Sequence, residues 1–224
     1  MSNLLFEAFT YLTSNFDTFL ALLREHIVLV LVAQVAATVV AVTAGILATR
    51  NERVKTWVLS GGNVSQTIPP LAVIALVFPF VGIGFNSAVL AMWVYALLPI
   101  ITNTIAGIEE VPESTIRSAE GMGMTDWEIL RKIQLPLAVP VIFAGIRTST
   151  VMNVGTAYLA IFIGAGGLGD WVVTGIQLFN NPQILAGAIP GALLAISLDT
   201  VLGFVERSLD TQTTSGGGGA AADA

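Results

Sequence analysis

Charge-free apolar runs alternate with short polar loops along this chain, and the run lengths set the architecture. Leu5, Phe9, Leu12, Phe16, Phe19, Leu20 and Leu23 recur at roughly helical spacing, with Glu7, Asp17 and Arg24 between them. Residues 1–25 therefore predict an amphipathic helix lying at a membrane surface. Ile27 to Thr49 carries no charge and reaches the roughly 20 residues that cross hydrocarbon as helix. After the basic loop Arg50 to Lys55, a second charge-free stretch runs from Thr56 to Ile108. As helix it would extend about 80 Å at about 1.5 Å per residue, enough for two spans and a turn. Gly82-Ile83-Gly84-Phe85-Asn86 supplies the turn. Pro69-Pro70 should kink or break the first of these two spans.

The pattern as a whole predicts an all-α integral membrane protein of about five spans, near 27–49, 64–81, 87–108, 137–163 and 184–206. Residues 210–224, ending TQTTSGGGGAAADA, are low in complexity and predict a disordered tail. The opening residues lack the early positive region and clean apolar run of a signal peptide.

Most of the polar chemistry lies in the loop 109–136. Pro112 should stop the helix before it, and Glu113 to Glu120 can form a short one. Gly121 and Gly123 offer a sharp reversal. Thr125 then caps a second short helix, with Glu128 three residues on completing a capping box. Arg131 and Lys132 close it, favourably placed for the helix dipole. Leu135-Pro136 and Pro140 should break the chain before the next span.

Composition narrows the classes further. The mean hydropathy of +0.82 and the 11% share of charged residues exclude a soluble domain of ordinary make-up. There is no cysteine and one histidine, His26, so thiol and multi-histidine metal sites are excluded. A net charge of −6 argues against nucleic acid as a partner. The chain has no G-x-x-x-x-G-K phosphate loop, no Ser-His-Asp or Cys-His set and no H-E-x-x-H, so neither enzyme activity nor a cofactor is expected. Seven of the nine basic residues, Arg50, Arg53, Lys55, Arg117, Arg131, Lys132 and Arg207, fall on the side of the 109–136 loop. That bias puts the loop and the C-terminus inside the cell membrane and the N-terminus outside.

Arg117 to Pro136, RSAEGMGMTDWEILRKIQLP, resembles the cytoplasmic loop of permease subunits in binding-protein-dependent type I ABC importers. The family pattern is E-A-A, three residues, G, nine residues, I-x-L-P. Ala119, Gly123, Ile133, Leu135 and Pro136 stand at the required offsets, while Arg117 and Ser118 replace the family's Glu and first Ala. SQTIPPLAV (65–73), GIRTSTVMNVGTAYLAIFIGAGGLGD (145–170) and LLAISLDTVLGFVERSL (193–209) are similar to the branch that imports glycine betaine, choline and carnitine. The likeness covers roughly residues 27–209 and implies the type I permease fold. It also implies a coupling role for Arg117, Ser118, Ala119, Gly121, Gly123, Thr125, Glu128, Ile133, Leu135 and Pro136. The implied partners are two ATP-binding subunits, a second permease copy or paralogue, an external binding protein, the small solute and the lipid bilayer. Another small solute, such as an amino acid, is an alternative. So is an ion-gradient-driven transporter, which the scarcity of intramembrane carboxylates and the absence of an obvious inverted repeat oppose. The acidic balance and glycine-rich tail fit a salt-adapted prokaryotic host.

Inside the spans, Arg147 and Asp199 stand roughly 12–15 Å from the cytoplasmic ends at about 1.5 Å per residue. Charges at that depth are paired or functional, and a mutual ion pair is the favoured reading over solute contact. Asn153 and Thr156 are candidates to line the path. Gly145, Ser149, Gly155 and Ala157 suit tight helix contacts. The cluster GAGGLGD, with Gly166, Gly167, Gly169 and Asp170, falls at the outer end of the fourth span. There it could meet a binding protein or simply end a helix. Trp57, Trp93, Trp127 and Trp171 are scattered, and a cation–π cage built from them is an open alternative.

Overall fold

The computed structural model describes residues 2–215, with side chains for 3–209, and within that range every regular element is helical. In chain order these are α1 (Ser2–Ser14), α2 (Phe16–Ala48), α3 (Glu52–Thr67), α4 (Pro70–Val81) and α5 (Phe85–Glu109). Then follow α6 (Glu113–Gly121), α7 (Asp126–Ile129), a π-turn (Leu130–Gln134), α8 (Leu135–Thr156), a 3₁₀ segment (Ala157–Ile163), α9 (Gly169–Gln177) and α10 (Asn181–Ser215). Among the described residues, four helices are long and apolar enough to cross a membrane, and five if the bent pair α3–α4 counts as one span.

α5 is the hub. Its Ala88, Ala91, Met92, Tyr95, Ala96, Ile100, Ile101, Ile105 and Ile108 are all buried. Against it α2 presents Ala33, Ala37, Ala41 and Gly45, four small buried residues at four-residue spacing. Small residues let backbones close up where lipid supplies no hydrophobic drive between helices. A Cβ on Gly45 would sit 2.6 Å from the Thr104 Cβ of α5. α8 approaches α5 in the same way at Gly145, where a Cβ would lie 2.7 Å from the Pro99 carbonyl. Large apolar side chains such as Leu31, Val35, Ile196 and Phe204 face outward.

Several elements differ from the sequence expectation. Residues 16–25, assigned to one surface helix with 1–15, belong to α2 itself, because the only break falls at Asn15. α1 packs on the far end of the fold, where Tyr11 and Leu12 join a cluster with Leu22, Leu168, Trp171 and Ala186. The span expected at 64–81 is split: α3 and α4 meet at 103°. Pro69 and Pro70 remove two consecutive donors there, and Ile68 is extended, as residues before proline prefer. α9 has no counterpart in the predicted elements. α10 runs on to Ser215, so 210–215 of the expected disordered tail are helical, and 216–224 lie outside the described residues. No glycine or proline interrupts the chain between Phe204 and Ser215.

Candidate functional site: the loop 109–136 and the polar contacts within the spans

The loop folds as a compact knob. α6 starts after Pro112 and closes where the Met124 amide donates to the Ala119 carbonyl (3.1 Å) and the Gly123 amide to Glu120 (2.9 Å). Gly123 has φ +82°, the region that side-chain-bearing residues avoid. Gly121, expected to share in the reversal, stays within the last turn of α6. The capping box is complete: the Glu128 amide donates to Thr125 Oγ1, and the Thr125 amide donates to Glu128 Oε2. Lys132 Nζ lies 2.8 Å from Glu128. In this loop below the span, that lysine and then the Thr125 amide and hydroxyl hold the Glu128 carboxyl down to about 2, so it stays charged across the physiological range.

The knob does not end where the prolines predicted. α7 continues through the π-turn into α8 without a break, the Leu135 amide donating to Leu130. Pro136 falls in the first turn after the change of register, where a missing N–H costs least. Pro140 is carried inside α8 by packing, since Ile108, Leu130, Ala138 and Ile142 form one buried cluster that pins the knob to α5. Ala119 is fully buried, and Ile133 and Leu135 are half-buried. From the α2–α3 loop, Arg50 Nη2 donates to Gln134 Oε1 (3.3 Å) and lies 3.5 Å from the Asp126 carbonyl. Lys55 ties α3 to Glu109 at the end of α5 (2.6 Å). Arg117 pairs within its own helix with Glu113 (2.6 Å), both exposed, and Ser118 Oγ bonds the Ser114 carbonyl. The tip exposes Met122 (74%), which sequence reasoning passed over, and Trp127 (65%), which it weighed only for a cation–π cage.

Arg147 joins α8 to α10. Its Nε and Nη2 donate to the two Asp199 oxygens (2.7 and 2.9 Å), a bidentate pair, and its Nη1 donates to Glu206 (3.0 Å). Two-pronged charge-assisted bonds of this kind are the strong ones. Asp199, Gly203 and Glu206 share a helix face, and a Cβ on Gly203 would crowd the guanidinium at 3.0 Å. Glu206 was missed, although its seven-residue spacing from Asp199 is two helical turns.

A second polar seam links α2 to α8. Gln34 Nε2 donates to Ser149 Oγ (2.6 Å), and Asn153 Nδ2 donates to Gln34 Oε1 (3.0 Å). Asn153 is 1% exposed inside this seam, so it lines no surface of this chain. Thr156 Oγ1 bonds the Met152 carbonyl, and Gly155 faces open space. At the opposite end from the knob, Gly167 has φ +90°, and its amide donates to Glu25 (3.0 Å). Buried His26 accepts no bulk there: its Nε2 meets the Val154 carbonyl (3.1 Å), and its ring packs edge-on to Tyr158, whose hydroxyl donates to Gly187 (2.9 Å). Gly166 lies against the movable Glu25 carboxylate, and Gly169 lies too close to the Tyr158 carbonyl for a side chain. Asp170 is half-buried in the first turn of α9. The four tryptophans form no cage, and the ring contacts found for Trp171 are to Tyr11 and Phe19.

The family described as binding-protein-dependent transport system inner membrane component matches residues 41–214. The chain belongs to that family. It is 42% identical over 200 residues to a glycine betaine/carnitine/choline transport system permease protein of Bacillus subtilis, covering 89% of this chain and 92% of the relative. To a carnitine transport permease protein of Listeria monocytogenes it is 43% identical, covering 83% and 84%. An osmoprotectant import permease protein of Salmonella typhimurium is 42% identical, covering 85% and 81%. Among solved structures, the inward-facing MetNI methionine ABC transporter superposes with a TM-score of 0.77 at 20% identity, over 88% of this chain and 98% of that one. An amino acid ABC transporter with histidines gives 0.74 at 18%, over 89% and 98%. The fold is therefore that of a type I ABC importer permease, an integral, multi-pass membrane subunit.

Proposed function

We propose that this permease carries a small quaternary-amine osmoprotectant, such as glycine betaine, choline or carnitine, into the cell. The observation that carries this reading is identity of 40–43% to permeases of that substrate class over more than four-fifths of the chain. Two ATP-binding subunits dock on the knobs of two permease copies, or of this chain and a paralogue, and hydrolyse the ATP. An external binding protein delivers the solute near Gly166, Gly167, Gly169 and Asp170. Arg50, Lys55, Arg131 and Lys132 gather around the knob, which favours a cytoplasmic position for it and an external N-terminus.

Closure of the ATP-binding subunits would press on α6 and α7. Because α7 runs into α8, that displacement passes directly into a membrane helix. From α8 it reaches α10 through Arg147 and α2 through Gln34. The test is uptake of labelled glycine betaine, choline and carnitine into proteoliposomes holding the permease, its neighbouring ATPase and its binding protein. ATP-dependent uptake of at least one is expected. Uptake of none, with robust ATP-driven uptake of a chemically different solute, overturns the substrate class.

A further inference from the structure

The seam holds Asn153, the ion network holds Arg147 and Asp199, and the Thr156 hydroxyl bonds its own helix. α3 does the opposite. Between Thr56 and the break it carries no charge, yet no residue of α3 is buried. Ser60, Asn63 and Thr67 are exposed and fall on one face at spacings of three and four. Ser60 and Asn63 have no side-chain hydrogen bond among the described residues, whereas Thr67 bonds only its own helix at Val64. At about 1.5 Å per residue, Ser60 lies about 12 Å and Thr67 about 22 Å from Glu52 at the knob end of α3. That is within a hydrocarbon layer about 30 Å thick. An unpaired amide facing lipid at such depth is costly, so this face needs water or another polar partner.

The break supplies an independent reason. The 103° bend between Thr67 and Pro70 interrupts helical bonding midway along a pair apolar enough to be one bent span, and irregular backbone at membrane depth persists only where protein buries it or water reaches it. Tyr95 lies in the core cluster that packs Ile68, Val73 and Ile74 around the break. It is 5% exposed, and its hydroxyl has no hydrogen-bond partner. Its carbonyl accepts from Gln66 Nε2 (2.9 Å), fixing the last turn of α3 to α5. On α5, Leu98 receives Gly62 of α3, while Pro99 and Asn103 receive Gly145 of α8. By helical period, half-exposed Thr102 falls between those two contacts, its hydroxyl bonded to the Leu98 carbonyl (2.9 Å).

We propose that the Ser60–Asn63–Thr67 face of α3, ending at the Pro69 break, is the solute-contacting wall of the translocation path. It deepens the importer reading and rests on it. Its hydroxyls and amide can meet a carboxylate or water, and with no fixed charge they would hold a charged or zwitterionic solute only briefly, as passage requires.

The chain contains no cysteine, so single-cysteine variants need no background changes. In the assembled importer, Ser60→Cys, Asn63→Cys and Thr67→Cys are exposed to a cationic methanethiosulfonate, with Val35→Cys and Ile196→Cys as apolar outward controls. The thiolate that reacts forms in water and not in lipid, so the three wall positions should react at least about tenfold faster than the controls. Saturating glycine betaine with ATP should slow that reaction, and modification should stop uptake. Wall positions no faster than the controls, or fast but indifferent to solute, overturn the proposal. Uptake by the unsubstituted importer, measured first, reports on the substrate reading separately, because labelling without solute needs no correct substrate.

Discussion

The two ends of this permease are held by different physics. At the knob end, Arg50 reaches Gln134 and Lys55 reaches Glu109 across gaps, beside the buried cluster of Ile108, Leu130, Ala138 and Ile142. At the far end, Gly169 sits against the Tyr158 backbone, Gly167 against His26 and Gly166 against the Glu25 carboxylate, with buried His26 and Tyr158 wedged between helices. Exposed bridges contribute little singly and tolerate loss. Close backbone contact tolerates no added atom. The bridges at one end can therefore be exchanged singly, while the Gly169 contact at the other cannot.

The largest contrast should come from Gly169→Leu. Its Cβ would overlap the Tyr158 carbonyl, a backbone atom that cannot swing away. We expect near-complete loss of monodisperse permease on detergent extraction and size-exclusion, whereas Lys132→Ala at the knob extracts normally. Equal recovery of both would remove the distinction between the ends. Arg147→Met ranks next, because it strands Asp199 and Glu206 together. Its thermal midpoint should fall, and the neutral triple variant with Asp199→Asn and Glu206→Gln should regain part of it. A straight Arg147–Asp199 exchange is a poorer test, since it sets a carboxylate against Glu206. If the triple variant melts no higher than Arg147→Met, the network is not what joins α8 to α10.

Gly123→Val should act on function with little effect on insertion. A φ of +82° imposes strain of about 1–3 kcal/mol on a β-branched residue. Membrane levels should stay normal, while co-purification of the ATP-binding subunit and uptake both fall. Normal transport by this variant would deny the knob its coupling role. The smallest effect is expected for Trp127→Ala. An exposed aromatic at an interface centre contributes about 2 kcal/mol when it is an anchor, so ATPase binding should weaken with no change in the permease's melting. Unchanged binding would leave Trp127 outside the contact.

What the sequence revealed follows the range of the forces involved. The knob was readable because Pro112, Thr125 and Glu128 act over three or four residues, and the Asp199–Arg147 pair because bare charge in an apolar run is conspicuous. The unbroken passage through Pro136 was hidden, since it depends on Ile108 and Ile142 packing around Leu130 from distant positions. So was the severity of the α3–α4 bend: Pro69-Pro70 announces a break but not its angle. Gln34 carried no signal of its own, because its partners Ser149 and Asn153 lie on α8, more than a hundred residues away.

From Asp126 to Thr156 the chain forms one continuous rod, about 46 Å long at about 1.5 Å per residue. Such a rod magnifies rotation: a tilt of about 5° at its foot sweeps the other tip through about 4 Å over that length. Its narrowest bearing is Gly145, seated on Pro99 and Asn103 of α5 with no side chain to spare. We infer that a fulcrum there, part-way up the rod, would make α8 a first-class lever, so that a push at the knob would move its far end the opposite way.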